Sequence, residues 1–239
     1  MNKKYFWSLL SIMMVAMLSF GFVSCGGDDD DEISKEKKEG PNNEQNNEQD
    51  NGTVKGEVAE AVDLGLSVKW ASWNVGASRP EEVGNYYAWG ETKPKEYYTY
   101  NNWRWKGQIT KSSSKNIMGT NYDAATVNWG DGWRMPHIVE FMELRGNCTW
   151  GTAERNGVPG FLVVGPNGNA IFLPKGGQMT TEVEGTGAAK FWSETCGEVK
   201  VDKKTYKGVM GFSNTGIWEW RYMEMEDGSL GLPVRAVKR

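Results

Sequence analysis

Gly132-Trp133-Arg134-Met135-Pro136 leads directly into residues 137–145, where the apolar positions are Ile138, Phe141, Met142 and Leu144. Apolar residues at three- and four-residue spacing predict an amphipathic helix. Pro136 suits the first turn of this helix, because the N–H group that proline lacks would have no partner there. Gly146-Asn147 predict the end of the helix. A shorter helix is predicted over residues 122–128, with Asp123 favouring its N-terminus.

Short strands and tight turns are predicted on both sides of these helices. Strands are expected at residues 62–70 and 85–89. After the helices, residues 161–164 and 170–173 flank Gly165-Pro166-Asn167-Gly168, a turn sequence that predicts a hairpin. Further strands are expected at 190–194, 206–212, 217–225 and 230–237, with turns at Asn214-Thr215-Gly216 and Asp227-Gly228. Two short helices and a late, mainly antiparallel meander predict an α+β fold.

Residues 91–120 are polar and aromatic without a regular period, which predicts a long surface insertion. Exposed aromatic rings with polar groups are favoured at binding surfaces. We therefore expect ligand contacts from Tyr98, Tyr100, Trp103 and Trp105, which surround Arg104. The alternative is that the insertion folds back and buries these rings over the sheet. A second set of tryptophans is expected in the core: Trp70, Trp89, Trp129, Trp133 and Trp192.

The N-terminus has the pattern of a secretory signal. Lys3 and Lys4 precede an apolar run over residues 6–23, and small residues stand before the expected cleavage point. Phe22-Val23-Ser24-Cys25-Gly26 resembles a lipobox, although Phe22 departs from the usual Leu. We expect a signal peptide at residues 1–24 and acyl chains on Cys25, which would anchor the protein to a membrane. The alternative is a transmembrane helix near the lower length limit.

An acidic run over residues 28–32 follows the predicted lipidation site. It resembles the export signal that sends Bacteroides-type lipoproteins to the outer face of the outer membrane, which predicts exposure at the cell surface. The alternative is that this run has no export role and is a solvated charged segment that keeps the tether extended. Residues 25–53 have almost nothing apolar to bury, so they are expected to form a disordered tether. Residues 54–239 then form one domain of ordinary length.

Charge and cysteine usage limit the possible partners. Of 31 acidic and 27 basic residues, 10 and 5 lie within the first 50 positions, so the remainder has 21 acidic and 22 basic residues. A nearly neutral domain has no electrostatic footprint for nucleic acid. Apart from Cys25, the cysteines are Cys148 and Cys196. In an oxidising compartment they can form a disulfide, or they can remain buried free thiols.

Few side chains point to catalysis. His137 is the single histidine, which rules out a histidine-rich metal site, and its place at a helix start favours a surface role. No nucleophile-elbow sequence is present. Glycoside cleavage would need a pair of carboxylates, and its only support here is that acidic residues are present. The candidates are Glu219, Glu224, Glu226 and Asp227. We expect no enzymatic activity, no metal and no cofactor.

Several blocks along the domain resemble a known family. The first contains Val62-Asp63-Leu64-Gly65-Leu66, Trp70-Ala71 and Asn74-Val75-Gly76-Ala77. The others are Tyr87-Ala88-Trp89-Gly90-Glu91-Thr92, Tyr122-Asp123-Ala124-Ala125, Asn128-Trp129-Gly130, the segment 132–136 with Glu140-Phe141, residues 147–150, residues 165–174, Phe191-Trp192-Ser193 and Val234-Arg235. Together they resemble the Fibrobacter succinogenes major paralogous domain, which is abundant in surface lipoproteins.

This resemblance implies a C-type-lectin-like fold. Segment 132–136 and Gly216-Ile217-Trp218-Glu219-Trp220 are also similar to parts of formylglycine-generating-enzyme domains, which have a related fold. The family carries no settled activity or residue-level site. The expected function is a non-catalytic ligand-binding or adhesion module for a glycan or a surface protein. The alternatives are a structural or assembly component of the cell envelope and, less favoured, a carboxylate-dependent glycan-active enzyme.

Overall fold

Antiparallel strands in small sheets, with two helices, make up the computed structural model, which describes residues 57–130, 132–201, 203–215, 220–225 and 228–239. These residues belong to one compact unit, Asn51–Arg239. The predicted mixture of two short helices and mainly antiparallel strands is therefore confirmed. The predicted signal peptide, Cys25 and the tether lie outside the described residues, as do residues 216–219, Glu226 and Asp227.

Most of the helices and strands are short, and the two longest strands lie in the C-terminal half of the chain. The helices are α1 (Ala124–Trp129) and α2 (Ile138–Asn147), and a 3-10 helix covers Tyr100–Asn102. The strands are β1 (Ala61–Val62), β2 (Lys69–Ala71), β3 (Tyr86–Tyr87), β4 (Thr149–Arg155), β5 (Val158–Val164), β6 (Ala170–Pro174), β7 (Gln178–Met179), β8 (Val183–Glu184), β9 (Ala189–Val201), β10 (Lys204–Asn214), β11 (Trp220–Met225), β12 (Leu232–Pro233) and β13 (Val237–Lys238).

The described residues form five small sheets, all with antiparallel pairing. Their strand orders are β1-β2-β13, β11-β10-β9, β12-β3, β4-β5-β6 and β7-β8. The C-terminal β13 returns to pair with β2, so both ends of the described domain meet in one sheet. Closing the chain in this way brings residues that are far apart in sequence into the same core.

Both predicted helices are present, with shifted boundaries. Asp123 caps α1 by accepting hydrogen bonds from the backbone N–H groups of Ala125 and Thr126, at 3.0 and 3.1 Å. His137, the residue directly after Pro136, caps α2 by accepting a hydrogen bond from Val139 N. Pro136 therefore lies just before the helix. The helix also continues through Gly146-Asn147, so its predicted end was two residues early.

The hairpin at residues 165–168 is confirmed. Val164 on β5 pairs with Ala170 on β6, and Gly168 N donates to Gly165 O across the turn. The sequence pattern did not predict β4, which pairs with β5 along its whole length. The strand predicted at 62–70 is wrong in its middle. There, Asp63 Oδ1 accepts from Gly65 N at 2.7 Å, and this local turn separates β1 from β2.

Buried side chains form two clusters. We call one the tryptophan cluster, which includes Trp89, Trp103, Trp105, Trp129, Trp133 and Trp192. We call the other the phenylalanine cluster, which includes Trp70, Phe141, Phe161, Phe191 and Phe212. Neighbouring Phe191 and Trp192 on β9 enter different clusters, because successive side chains of a strand point to opposite faces. The five tryptophans predicted in the core are all buried.

One buried cation joins distant parts of the fold. The Arg235 guanidinium is fully buried and donates to Asn74 Oδ1, Ala71 O and Phe172 O at 2.7–2.9 Å. Burial lowers the pKa of Arg235 to about 9, so the group stays charged at neutral pH. Its three acceptors lie 63 to 164 residues away in sequence, which makes Arg235 a tertiary link between β6 and the first strands.

Candidate binding site

Most of the aromatic residues predicted to bind a ligand are buried. The exposed fractions are 1% for Tyr98, 3% for Trp103 and 7% for Trp105, whereas Tyr100 is 43% exposed. The alternative of an insertion that folds back is thus the arrangement seen for the first three rings. Their expected role as exposed contact residues is corrected, because a ligand cannot reach them in this structure. Tyr100 remains available at the surface.

Polar atoms of the buried rings fix the insertion to the backbone. Trp103 Nε1 donates to Trp89 O at 3.0 Å, and Trp105 Nε1 donates to Gly90 O at 3.4 Å. The Tyr98 hydroxyl donates to Tyr86 O. Burial raises the pKa of this hydroxyl to about 12, so it remains a donor at neutral pH. These bonds replace the ladder of a regular strand and hold residues 91–120 in place.

Glycine allows this close packing at two positions. Gly90 has φ +74°, and a Cβ atom there would overlap the indole nitrogen of Trp105. A Cβ atom at Gly231 would come within 2.7 Å of the Tyr98 ring. Both contacts are shorter than real Cβ contacts, so the rings of the insertion can reach the core only where these side chains are absent.

An open cavity of about 360 Å³ lies at the surface of the insertion. We call it the basic cleft and define it by Glu91, Thr92, Lys93, Lys95, Arg104 and Asn121. The volume is within the range typical of small-ligand sites. Lys95 Nζ pairs with Glu91 Oε2 at 2.7 Å, and Arg104 N donates to Glu91 Oε1 at the same distance. The single carboxylate of the cleft is therefore already bonded on both oxygens.

Two cations of the basic cleft have no acidic partner among the described residues. Neither the Lys93 ammonium nor the Arg104 guanidinium makes an ion pair within that part of the chain. Residues 91–120 as a whole carry six basic and two acidic side chains. The rest of the domain, residues 51–90 and 121–239, carries 16 basic and 19 acidic side chains, so the positive charge is concentrated in the insertion.

The Arg104 side chain rests on aromatic rings. Its guanidinium carbon lies 4.8 Å from the centroid of Tyr122 and 5.7 Å from that of Trp105. These two rings pack edge to face at 5.0 Å, and Lys115 Nζ lies 4.2 Å from the Trp105 centroid. Cation–π contacts orient the guanidinium without consuming its N–H groups. Arg104 is thus held in position with donors free for a ligand.

A second cavity of about 240 Å³ lies where the insertion meets β9 and α2. We call it the Glu194 cleft; its lining includes Ser114, Lys115, His137, Glu194, Thr195 and Glu198. Burial raises the pKa of the Glu194 carboxyl to about 7, and nearby Asp123 raises it further while Arg134 opposes the rise. Burial also lowers the pKa of His137, whose Nε2 is 3.7 Å from Glu194 Oε1. His137 lies at the surface in this open cleft, half-buried, with 33% of its side chain exposed.

The charges behind the Glu194 cleft have structural partners. Asp123 is buried and accepts from Met135 N at 3.0 Å and from Gly119 N at 3.1 Å, in addition to capping α1. Arg134 and Glu140 form a two-pronged ion pair, with Nη1 to Oε2 at 2.9 Å. These groups stabilise the start of α2 and create the field that acts on Glu194.

Neither cysteine of the domain has the lowered thiol pKa that is typical of a reactive cysteine. Cys148 and Cys196 are free, so the disulfide that the sequence left open is not formed. Burial raises the pKa of the Cys148 thiol to about 11, with a further contribution from Glu143. Burial raises the pKa of Cys196 as well. A protonated thiol is a poor nucleophile, so these residues lack the electronic character of reactive cysteines.

The candidate carboxylates of the late strands are not brought into a site that can be described. Glu219, Glu226 and Asp227 lie outside the described residues. Glu224 lies on β11 opposite Met210 of β10. Within the described ranges, no group of three or more His, Cys, Asp or Glu side chains is placed to hold a metal ion. No helix in the same ranges is long and apolar enough to cross a membrane.

Comparisons with known proteins found no matching family model, no matching curated protein and no matching solved structure.

The sequence indicated part of the basic cleft but not the Glu194 cleft. Arg104 stood out because it lies between tryptophans in a segment without a period. The sequence predicts Glu194 as the last residue of a strand, and a carboxylate beside Phe191-Trp192-Ser193 is an unusual neighbour for buried apolar residues. This carboxylate among apolar residues is the one sign of the Glu194 cleft in the local sequence. The cleft itself also needs His137 and Asp123, which are distant from Glu194 in sequence.

Proposed function

We propose that this protein is a lipid-anchored lipoprotein of the outer membrane, exposed at the cell surface, with a non-catalytic domain that binds a glycan or a protein. The observation that carries the proposal is the basic cleft. There, an insertion fixed by buried rings presents Lys93 and Arg104 without acidic partners among the described residues. A rigid scaffold with free donors is the arrangement expected of a binding surface.

We further propose membership in the Fibrobacter succinogenes major paralogous domain family, with its C-type-lectin-like fold. The support is the ordered set of sequence blocks, some of which meet in space. Arg235 of the last block bonds to Asn74 of the first. Trp192 Nε1 of the Phe191-Trp192-Ser193 block donates to Tyr87 O of the second at 2.7 Å. Residues that the resemblance groups together thus contribute to one core.

Binding rather than catalysis is favoured by the state of the titratable side chains. The two thiols are held protonated by burial. His137 serves as the cap of α2, and Asp123, Arg134 and Glu140 are committed to structural bonds. Their positions are explained by folding alone. Activity against a panel of polysaccharides, lost when one carboxylate is changed, would contradict this part of the proposal.

The anchor can be tested by metabolic labelling with an alkyne fatty acid. We expect label on the full-length protein and none on Cys25→Ser, with the variant leaving the membrane fraction. Cys148→Ser is the matched control and should keep the label, because it changes a cysteine of the folded domain. Protease treatment of intact cells should remove the domain. Protection of the domain would contradict surface exposure, and a labelled Cys25→Ser would contradict the anchor.

Binding can be tested with the full-length lipidated protein in detergent on an array of glycans and matrix proteins. We expect at least one ligand whose binding is weakened by Arg104→Gln. Arg79→Gln is the control, since it removes an exposed guanidinium outside the cleft. Failure to bind any ligand, together with a co-purifying envelope partner, would favour the alternative of a structural or assembly component.

A further inference from the structure

The basic cleft contains more positive than negative charge, and its geometry suggests how that charge is used. Its lining has three cations and one carboxylate, and the carboxylate is paired with Lys95. The surplus therefore resides on Lys93 and Arg104. No described residue neutralises either side chain, so an anionic group from outside the chain is the natural partner.

We propose that the basic cleft binds the carboxylate of an acidic saccharide, with Arg104 as the principal contact and Lys93 as a second charge. This inference rests on the proposed binding function and names the chemical class of its ligand. A guanidinium offers two parallel N–H groups that match the two oxygens of a carboxylate. The Arg104 guanidinium carbon lies 4.8 Å from the Tyr122 centroid, and its N–H groups make no ion pair with a described residue, so they can form that pair with a ligand.

Two exposed aromatic rings of the insertion, outside the lining of the basic cleft, favour a sugar ring over an acidic peptide. Tyr97 and Tyr100 are 49% and 43% exposed, and they are the large hydrophobic side chains of the insertion that face solvent. Aromatic faces at a polar surface suit the apolar C–H groups of a pyranose. Tyr97 is joined to the cleft through Asn102, which donates from Nδ2 to Tyr97 O and accepts from Lys95 Nζ through its own carbonyl.

Neutral polar groups complete the recognition of a saccharide. Thr92 and Asn121 line the same cavity and can exchange hydrogen bonds with ring hydroxyls. Lys106 Nζ lies 5.7 Å from the centroid of Tyr100 and donates to Asn101 Oδ1 at 2.8 Å, which holds it beside that exposed ring. The cavity of about 360 Å³ is open, so a terminal residue of a longer glycan can enter it.

The test compares acidic saccharides with uncharged counterparts that lack a free carboxylate. The full-length lipidated protein is titrated with trigalacturonate and its methyl ester, with sialyllactose and lactose, and with polyglutamate. We expect at least one acidic saccharide to bind about tenfold or more tightly than its neutral counterpart, the difference typical of a lost charge-assisted hydrogen-bond pair. Arg104→Gln should abolish this preference, whereas Arg79→Gln should retain it.

Arg104→Lys separates bidentate recognition from simple charge attraction. Lysine keeps the charge but lacks the planar pair of N–H groups, so we expect an affinity between those of the natural chain and Arg104→Gln. The circular dichroism spectrum of each variant checks that it has folded. Tyr100→Ala should weaken saccharide binding and leave any binding of polyglutamate unchanged.

Several results would overturn the inference. Equal binding of each acid and its neutral counterpart would show that the charge is not recognised. Tighter, Arg104-dependent binding of polyglutamate would assign the cleft to an acidic protein. Binding of neutral glycans that is weakened by Arg104→Gln, with no preference for their acidic counterparts, would remove the inference and leave the proposed binding function intact. Absence of binding to any saccharide or protein would remove both.

Discussion

The two clusters of the core are stabilised in different ways. The phenylalanine cluster is covered by regular elements: α2 lies against β9 and β10, and the sheet β4-β5-β6 continues the same core. The tryptophan cluster is covered by residues 91–120, whose regular structure is one short 3-10 helix. Its cover is attached by side chains that donate to backbone carbonyls, such as those of Trp89 and Gly90.

This difference shows that side-chain hydrogen bonds can attach an irregular segment to the core, as backbone hydrogen bonds attach a strand to a sheet. A buried indole supplies apolar area and a single N–H donor, and a hydrogen bond from that donor fixes the direction of the ring. The basic cleft depends on these indole hydrogen bonds, because Arg104 lies between Trp103 and Trp105 in the sequence. We therefore expect the loss of a polar contact to lower the free energy of unfolding more in the tryptophan cluster than in the phenylalanine cluster.

The largest effect is expected where one residue stabilises both regions. Arg235→Met should lower the free energy of unfolding by about 3–5 kcal/mol, because three buried oxygen acceptors lose their donor. Urea denaturation of the full-length protein in detergent measures this change. Arg79→Met, which removes an exposed guanidinium, should change stability by less than about 0.5 kcal/mol. Similar values for both variants would show that the buried network contributes little.

The next effect concerns the packing of the insertion. Gly90→Ala and Gly107→Ala both place alanine at a positive φ, of 74° and 71°. Only at Gly90 does the added Cβ overlap a side chain, that of Trp105, whereas Gly107 has open space around it. We expect a loss of about 2–4 kcal/mol at Gly90 and about 1 kcal/mol at Gly107. Thermal unfolding separates the two.

Equal losses for these glycine variants would mean that backbone strain alone determines the result. In that case, the tight contact between Gly90 and Trp105 would not hold the insertion, and saccharide binding should survive in both variants.

A third comparison isolates the indole hydrogen bond. Trp103 Nε1 donates to Trp89 O, whereas the buried Trp70 Nε1 in the phenylalanine cluster has no hydrogen-bond partner among the residues that the structure describes. Trp103→Phe and Trp70→Phe remove similar volumes, but only the first leaves an acceptor unpaired. We expect Trp103→Phe to be the more destabilising by about 1–2 kcal/mol. A larger loss for Trp70→Phe would contradict the proposed difference between the clusters.

The smallest effect is a pH dependence at the boundary between the regions. The folded pKa of Glu194, about 7, lies above its ordinary value, so its stabilising contribution is complete below pH 4.5 and is lost as pH rises through 7. The lowered pKa of His137 acts in the opposite sense, because folding then disfavours protonation below about 6.5. We expect a net loss of about 1 kcal/mol between pH 6 and 8.

Glu194→Gln tests this assignment, since glutamine keeps the size of the side chain and cannot ionise. Denaturation midpoints of the variant should vary less over the same pH interval, and the variant should be the more stable protein at pH 8. An unchanged pH profile would place the titrating group elsewhere, with Asp123 the next candidate because burial raises its pKa too.

Local sequence was a good guide where an element depends on its own residues. The spacing of Ile138, Phe141 and Leu144 predicted α2, and Gly165-Pro166-Asn167-Gly168 predicted the turn between β5 and β6. Boundaries were less accurate because caps depend on side chains outside the periodic run, as with His137. The strand β4 was missed because residues 149–155 alternate only weakly, and its pairing with β5 supplies the missing order.

The composition of residues 91–120 established an aromatic, cationic segment without regular structure, since those properties belong to the chain itself. It could not establish which rings are exposed. Tyr98 is buried because Gly231, more than 130 positions later, leaves room for its ring. Burial raises the pKa of Glu194, and Asp123, which is distant in sequence, raises it further. Burial and electrostatic fields arise from neighbours in space, so they are set when distant segments pack together.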